Sequence, residues 1–191
     1  MAHQETETKL PLFNPRGLPA KLRALGFAPL TPRRLETNQL YDFPDGRLRA
    51  AGRLVRLRRC GGEWRLTVKA PPRVSRGIKS RPEFETPLAD PEPLLQLLSA
   101  AGMTATWYYE KYRREFKRGA LHLFLDETPA GAFLEIEGPT RAAIAKLALE
   151  LGFSPLQFIS DSYYALWARH TGDPRPPDMR FPLKKSRGAR A

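Results

Sequence analysis

The sequence predicts an α+β fold built around an antiparallel sheet with flanking helices, with enough strands and a sufficiently charged face for the sheet to close on itself. Three observations carry this. Period-two alternation recurs in segment after segment of the 191 residues, the signature of antiparallel strands with two unlike faces. The charged face collects both signs, and its acids come in i, i+2 pairs: Glu5/Glu7, Glu83/Glu85 and Glu135/Glu137. There are also about eight such segments, enough to close a sheet on itself. An open sheet with its charged face in water is the plainer alternative. If helices cover the apolar face of a closed sheet, the charges must turn inward. Buried unpaired ions cost several kcal/mol each, so such an interior must be wet and must take a highly charged ligand.

Each element follows from the chain in order. The opening "ETETK" alternates Glu5, Glu7 and Lys9 with Thr6 and Thr8. "NPRGLPAKLRALGF" reads as a helix, with Asn14 as candidate cap, apolar Leu18, Leu22 and Leu25, and Gly26 as the stop. In "RLVRLRR", Arg56 and Arg58 oppose Val55 and Leu57. In "EWRLTVKAP", Arg65, Thr67 and Lys69 oppose Trp64, Leu66 and Val68. Arg81, Glu83 and Glu85 share a face of "SRPEFETPL". "DPEPLLQLLSAAGM" is a helix from Asp90 to near Gly102. Lys111, Arg113 and Glu115 oppose Tyr112, Arg114 and Phe116, and "LHLFLD" sets His122, Phe124 and Asp126 against three leucines. "FLEIEG" opposes Leu134 and Ile136 to Glu135 and Glu137. A helix capped by Thr140 runs to Gly152, with Ile144, Leu147, Leu149 and Leu151 as its apolar surface, and "SDSYYALWARH" is a shorter amphipathic segment. The turns "PDG", "CGG", "KRG" and "PAG" join neighbouring strands. Trp107, Tyr108 and Tyr109 are expected to pack the barrel rather than stack on a base.

Composition narrows the partners. A formal charge of +12 favours a polyanion. From Gly172 onward, six Lys/Arg against two Asp, with four prolines, predict a disordered basic tail (172–191) after a single domain (1–171). No apolar run approaches a membrane span, and no basic segment followed by an apolar run marks a secretory signal, so a cytoplasmic location is expected. Cys60 stands alone, which excludes an intrachain disulfide and a thiolate-rich metal site. His3, His122 and His170 fit no ligand spacing and are expected to be structural or exposed.

The remaining residue types point to phosphate chemistry. Paired glutamates are hard oxygen ligands suited to Mg²⁺ or Mn²⁺, and interleaved Arg and Lys donate to phosphate oxygens. No Gly-rich phosphate loop occurs, so strand side chains must do this work. In this pattern the sequence resembles the CYTH superfamily, also called triphosphate tunnel metalloenzymes. Its hallmark ExExK strand is present as Glu5, Glu7 and Lys9. It is followed in the family's order by "YDFPDGRL", "LVRLRR", "LTVKAP", "EFETPL", "KYRREF", "LDETPAGAFLEIEGP" and "DSYYALW", over roughly residues 3–169.

The resemblance implies a closed eight-stranded antiparallel β-barrel, a tunnel with a charged interior flanked by helices, that binds a triphosphate with a divalent metal. It implies metal-binding carboxylates at Glu5, Glu7, Glu135 and Glu137, with Asp126 a further inward acid. Glu85 would serve as second-metal ligand or as counter-ion to an arginine. The implied triphosphate cradle is Lys9, Arg56, Arg58, Lys69, Arg81, Lys111 and Arg113, with Glu5, Glu7, Lys9 and Glu137 central to catalysis. Thr6 and Thr8 depart from the larger apolar residues expected between the hallmark positions. The loop 71–80, with Arg73, Arg76 and Lys79, either closes over a tunnel mouth or is solvated.

The expected activity is metal-dependent hydrolysis of inorganic triphosphate or a small organic triphosphate. The alternatives are a class IV adenylyl cyclase and a non-catalytic binder of polyphosphate or RNA. The acid pairs argue against the binder, since carboxylates facing phosphate serve no plain electrostatic clamp. The expected partner is a small-molecule triphosphate, with no membrane, nucleic acid only through the basic tail, and a monomer or homodimer.

Overall fold

Among the described residues, alternation resolves into nine strands, because a residue pattern of period two can bury one face only by pairing edge to edge. The structure, a computed structural model, describes residues 2–182. The strands are β1 (Ala2–Leu12), β2 (Ala28–Asp42), β3 (Leu54–Cys60), β4 (Glu63–Lys69), β5 (Arg73–Ser75), β6 (Ile78–Leu88), β7 (Thr104–Arg118), β8 (Leu121–Thr128) and β9 (Gly131–Glu137). The helices are α1 (Leu18–Ala24), α2 (Arg47–Ala50), α3 (Glu92–Ala100), α4 (Arg141–Glu150) and α5 (Tyr163–Thr171).

The strands pair antiparallel in the order β1-β9-β8-β7-β2-β3-β4-β6, and β6 pairs back to β1. Eight strands therefore close into a barrel, and the three-residue β5 lies beside β6 as an extra strand. β1 makes the closure. Its residues 2–7 pair with β6 and its residues 7–12 pair with β9, so Glu7 faces Lys79 on one side and Glu137 on the other.

The apolar outer face of β1, β8 and β9 is covered by α1 and α4. Leu10, Leu123, Leu134 and Ile136 pack there against Leu22, Ile144, Leu147 and Ala148, all almost completely buried. Each such aliphatic side chain contributes roughly 1.5–3 kcal/mol of transfer free energy. α4 starts as expected, with Thr140 Oγ1 accepting from the Ala143 N–H at 3.1 Å. Two local expectations fail. The cap of α1 is Gly17 and not Asn14, because the chain turns through Pro15 before the helix begins. Leu149 is 60% exposed, on the solvent side of α4.

The polar residues at positions 6 and 8 have a partner other than a helix. Thr6 Oγ1 lies 2.9 Å from Ser80 Oγ, and Thr8 Oγ1 donates to the Gly77 carbonyl at 2.8 Å. Both threonines are buried, so the β5–β6 hairpin covers strand one where an apolar residue would have called for a helix. β2 is the strand without a clean alternation. Its first half is exposed on both faces, Pro32 interrupts it, and its register against β7 shifts between Pro29 and Thr31 and again before Arg34.

The tail boundary also needs correcting. Residues 172–182 form a strap against β7. Met179 is fully buried, its N–H donates to the Tyr108 carbonyl at 3.0 Å, and its carbonyl accepts from the Glu110 N–H at 2.9 Å. The indoles of Trp107 and Trp167 both donate to the Pro177 carbonyl. A proline-rich segment loses little conformational entropy on ordering, so one apolar anchor and a few backbone bonds suffice. The rest of the predicted tail, 183–191, lies outside the described residues. Among those described, no helix is long and apolar enough to cross a membrane.

Gly77 joins the hairpin to the barrel at φ +73°, and a Cβ there would lie 2.5 Å from Phe158 Cβ and 2.8 Å from its carbonyl oxygen. Gly77→Ala is expected to lower unfolding free energy by about 2 kcal/mol or more, from backbone strain and overpacking together. Chemical denaturation would show it as a lower midpoint at unchanged slope.

Candidate active site

The pleat sends every second strand residue inward, and these residues surround a cavity of about 430 Å³. Twelve of the thirteen site residues named from sequence line it: Glu5, Glu7 and Lys9 on β1, Arg56 and Arg58 on β3, Lys69 on β4, Arg81 and Glu85 on β6, Lys111 and Arg113 on β7, and Glu135 and Glu137 on β9. Asp126 is the exception. Its carboxylate is fully buried behind the wall, where it accepts from Lys111 Nζ at 2.9 Å, Arg113 Nε at 2.7 Å and the Tyr163 hydroxyl at 2.6 Å.

Further residues, beyond those thirteen, also belong to the site. Lys79 lines the cavity 2.7 Å from Glu7 Oε1, although it was read as part of a mouth-closing or solvated loop. Arg73 and Arg76 of that loop are exposed. Glu36 and Asn38 on β2 stand beside Arg58, at 3.6 and 3.1 Å. Glu83 joins Lys69 at 2.6 Å. Tyr109 brings its hydroxyl 3.4 Å from Arg56. The signal for Glu36 and Asn38 was their shared parity, hidden because β2 is polar on both faces. His3 stands exposed at the cavity wall, and His122 meets Glu115 at 2.8 Å.

The charges form two linked networks. In one, Lys69 Nζ bridges Glu5 and Glu83 at 2.6 Å each, Arg81 Nε donates to Glu5 at 3.1 Å, and Arg56 lies 3.7 Å from both Glu83 and Glu85. Thr67 bonds Glu85 at 2.7 Å and so fixes that acid against the arginine. In the other, Lys9 lies 3.2 Å from Glu135 and 3.5 Å from Glu7, Arg113 pairs with Asp126 and Glu135, and Lys111 sits 3.5 Å from Glu36. The carboxylate of Glu137 makes no ion pair or hydrogen bond with any described residue.

Burial and partners then set the protonation states. Burial works to raise the Glu7 carboxyl, but the ammonium groups of Lys9 and Lys79 outweigh it and hold it well below the usual range. Glu36 is likewise buried, yet Arg58, Lys111 and Arg113 pull it down to about 2. Burial lowers the Lys79 ammonium, helped by neighbouring Lys9. Two acids go the other way. Burial, with Glu5 and Glu7 nearby, pushes Glu137 up to about 7, and burial, with Glu5 adding to it against Lys69 and Arg56, does the same for Glu83.

The acids fit a hard divalent cation by chemistry, since all are carboxylate oxygen donors and at Glu137, beside Glu7, burial and the neighbouring acids outweigh the one cation, Lys69, that acts on it. Among the described residues, no three are already gathered as a metal cluster. A cation would therefore take the place of lysine contacts at Glu5 and Glu7.

Comparison with known proteins agrees with the geometry. The sequence model of the CYTH domain matches residues 3–162, and the chain belongs to the CYTH domain family. Among solved structures, a proposed adenylate cyclase from Vibrio parahaemolyticus superposes with a TM-score of 0.76 at 21% identity, covering 87% of this chain and 98% of its own. The PH1819 protein from Pyrococcus horikoshii OT3 gives 0.71 at 25% identity, over 86% and 98%. HpAC1 from Hippeastrum, which has a dominant triphosphatase activity, gives 0.62 at 20%, over 88% and 96%. No curated protein matches this chain.

The two raised acids make a measurable stability profile. Glu83 and Glu137 have folded values near 7 against 4.5 unfolded, so the folded state holds more protons between those values. Stability from this source is present below pH 4.5 and is lost as pH rises to 7. The acids with depressed values weaken the fold only below about 4.5. In chelator, the protein is expected to be about 2 kcal/mol more stable at pH 5.5 than at pH 8. Thermal melts at the two pH values, repeated with Mg²⁺ to erase the difference, check it.

Proposed function

We propose that this protein hydrolyses a triphosphate, inorganic or carried by a small organic group, with a divalent cation (Mg²⁺ or Mn²⁺) in the barrel. The observation carrying this reading is the convergence of lysines and arginines from six strands on one buried cavity that also presents a crowded carboxylate wall. Phosphate oxygens are the ligand that uses both: cations for their charge, and a metal between them and the acids.

In this reading Lys9, Arg56, Arg58, Lys69, Lys79, Arg81, Lys111 and Arg113 cradle the triphosphate. Arg56 Nε and Asn38 Nδ2 are buried donors without a partner among the described residues, and an anionic ligand or its water would satisfy them. Glu5, Glu7 and Glu137 would hold the cation. Once bound, the cation would neutralise phosphate charge and acidify a water molecule. Asp126, Glu36 and Glu135 act by position: they hold Lys111, Arg113 and Lys9 where their charge meets the ligand, with no reorganisation during the reaction. Glu85 does the same for Arg56, as a counter-ion. Glu83, facing Glu5 across Lys69, is the candidate acceptor for the proton of the attacking water.

Phosphate release from inorganic triphosphate, thiamine triphosphate and ATP, each with Mg²⁺, Mn²⁺ or chelator, tests this. Metal-dependent release is expected, with Glu7→Gln lowering kcat by about 100-fold or more at unchanged secondary structure. Cyclic AMP and pyrophosphate from ATP would instead establish a cyclase using the same cradle. Tight, steeply salt-dependent RNA binding that survives Glu7→Gln, with no turnover of any triphosphate, would sink both.

A further inference from the structure

Tyr163 reaches the cavity from outside the sheet. It opens α5, whose N-cap Ser162 accepts the Ala165 N–H at 3.2 Å, and its side chain lines the barrel interior. Aromatic neighbours fix the ring. Phe133 meets it edge-on with centroids 5.9 Å apart, Tyr109 lies 6.0 Å away, and only 7% of the residue is exposed. The strap ties down the same helix, with the Trp167 indole donating to the Pro177 carbonyl at 2.9 Å.

Two ammonium groups meet this ring. Lys9 Nζ, from β1, is 5.2 Å from its centroid, and Lys111 Nζ, from β7, is 5.1 Å away. The hydroxyl is engaged elsewhere: it donates to Asp126 Oδ2 at 2.6 Å, the oxygen that also accepts from Lys111. Burial, with Asp126 and Glu135 nearby, pushes the phenol well above its usual range, so it stays a neutral donor.

A ring face attracts an ammonium group through its quadrupole, most strongly where water is excluded. Unlike a carboxylate, it brings no net charge to cancel the cation. Both lysines already have acids: Lys9 faces Glu135 at 3.2 Å and Glu7 at 3.5 Å, and Lys111 faces Asp126 at 2.9 Å and Glu36 at 3.5 Å. A further acid at this place would draw them away from an anionic ligand. An aliphatic side chain would leave nothing to oppose their collapse onto the acids they have. A neutral π-face holds two like charges in place and leaves both charged.

We propose that Tyr163 is a positioning residue whose ring seats the Lys9 and Lys111 ammonium groups, so that both keep donor hydrogens for an anionic ligand in the barrel. It acts through the two lysines and need not touch the ligand. The inference rests on the triphosphate reading above for the identity of that ligand, and on the ring and ammonium positions for the seat.

The test changes the electronics of the ring at nearly constant shape. Full-length protein is prepared as Tyr163→Phe, which keeps the ring and removes the hydroxyl, and with trifluorophenylalanine at residue 163, which drains electron density from the same ring. Relative to Tyr163→Phe, fluorination is expected to weaken binding of inorganic triphosphate in chelator about fivefold by calorimetry. A ring that only packs α5 against the barrel predicts equal affinity for the two, and that result overturns the proposal. A second measurement needs no ligand. NMR of side-chain ammonium groups is expected to show Lys9 and Lys111 in wild-type protein and in Tyr163→Phe, and to lose both signals to faster exchange with water on fluorination. Signals missing from wild-type protein, or unchanged by fluorination, also overturn the seat. Failure of the triphosphate reading shows separately: wild-type protein that neither binds nor hydrolyses inorganic triphosphate refutes that reading, and the ammonium signals still decide the seat.

Discussion

Closure of the sheet through β1 is the constraint on which the other features depend. Pairing on both edges turns the inward residues of this strand into a narrow interior where they are almost fully buried, so Glu5, Glu7 and Lys9 must be neutralised where they stand. An unpaired ion at such depth costs several kcal/mol. Lys69 and Arg81 answer Glu5, Lys79 answers Glu7, and Glu135 answers Lys9. The answering residues are themselves inward positions of β4, β6 and β9, so the same requirement passes from strand to strand around the barrel.

Compensation of this kind is incomplete by design of the chain, and the incompleteness is local. The wall carrying Lys9, Lys111 and Arg113 is closely matched by Asp126, Glu36 and Glu135. Near Glu7, Glu137 and Glu83, acid outweighs base, which leaves two carboxyls titrating near neutrality. In the proposed function, the acid-rich side is where a cation would be held, and the matched wall supplies lysines and arginines already fixed in position by their acids.

Much of this was legible in the residues, for a physical reason: one closed sheet imposes one periodicity, and paired acids at i, i+2 announce an inward charged face. Twelve of the named site residues line the cavity because parity alone places them there. The exceptions share a cause, which is that parity reports direction and not depth or company. Asp126 points inward but lies behind its partners, saturated by Lys111, Arg113 and Tyr163. β2 hides Glu36 and Asn38 because its first half is solvated on both faces and its register shifts. Lys79 sits in a hairpin whose pairing to β1 is a long-range contact. Composition predicts disorder for the strap because it averages over a segment, whereas buried Met179, its two backbone bonds and the indole bonds to Pro177 hold residues 172–182 in place.

β1 is made before the other strands described, yet its partners are encoded far behind it: the stretch around Lys79 on one side and that around Glu137 on the other. Until both exist the strand has two bare edges, the condition that invites pairing with another chain. Its sequence is suited to the wait. Alternate glutamates make it poorly adhesive to copies of itself, and the intervening threonines give a stranger no greasy face to grip. Like charges at alternate positions of "ETETK" therefore disfavour in-register pairing of this strand with a copy of itself.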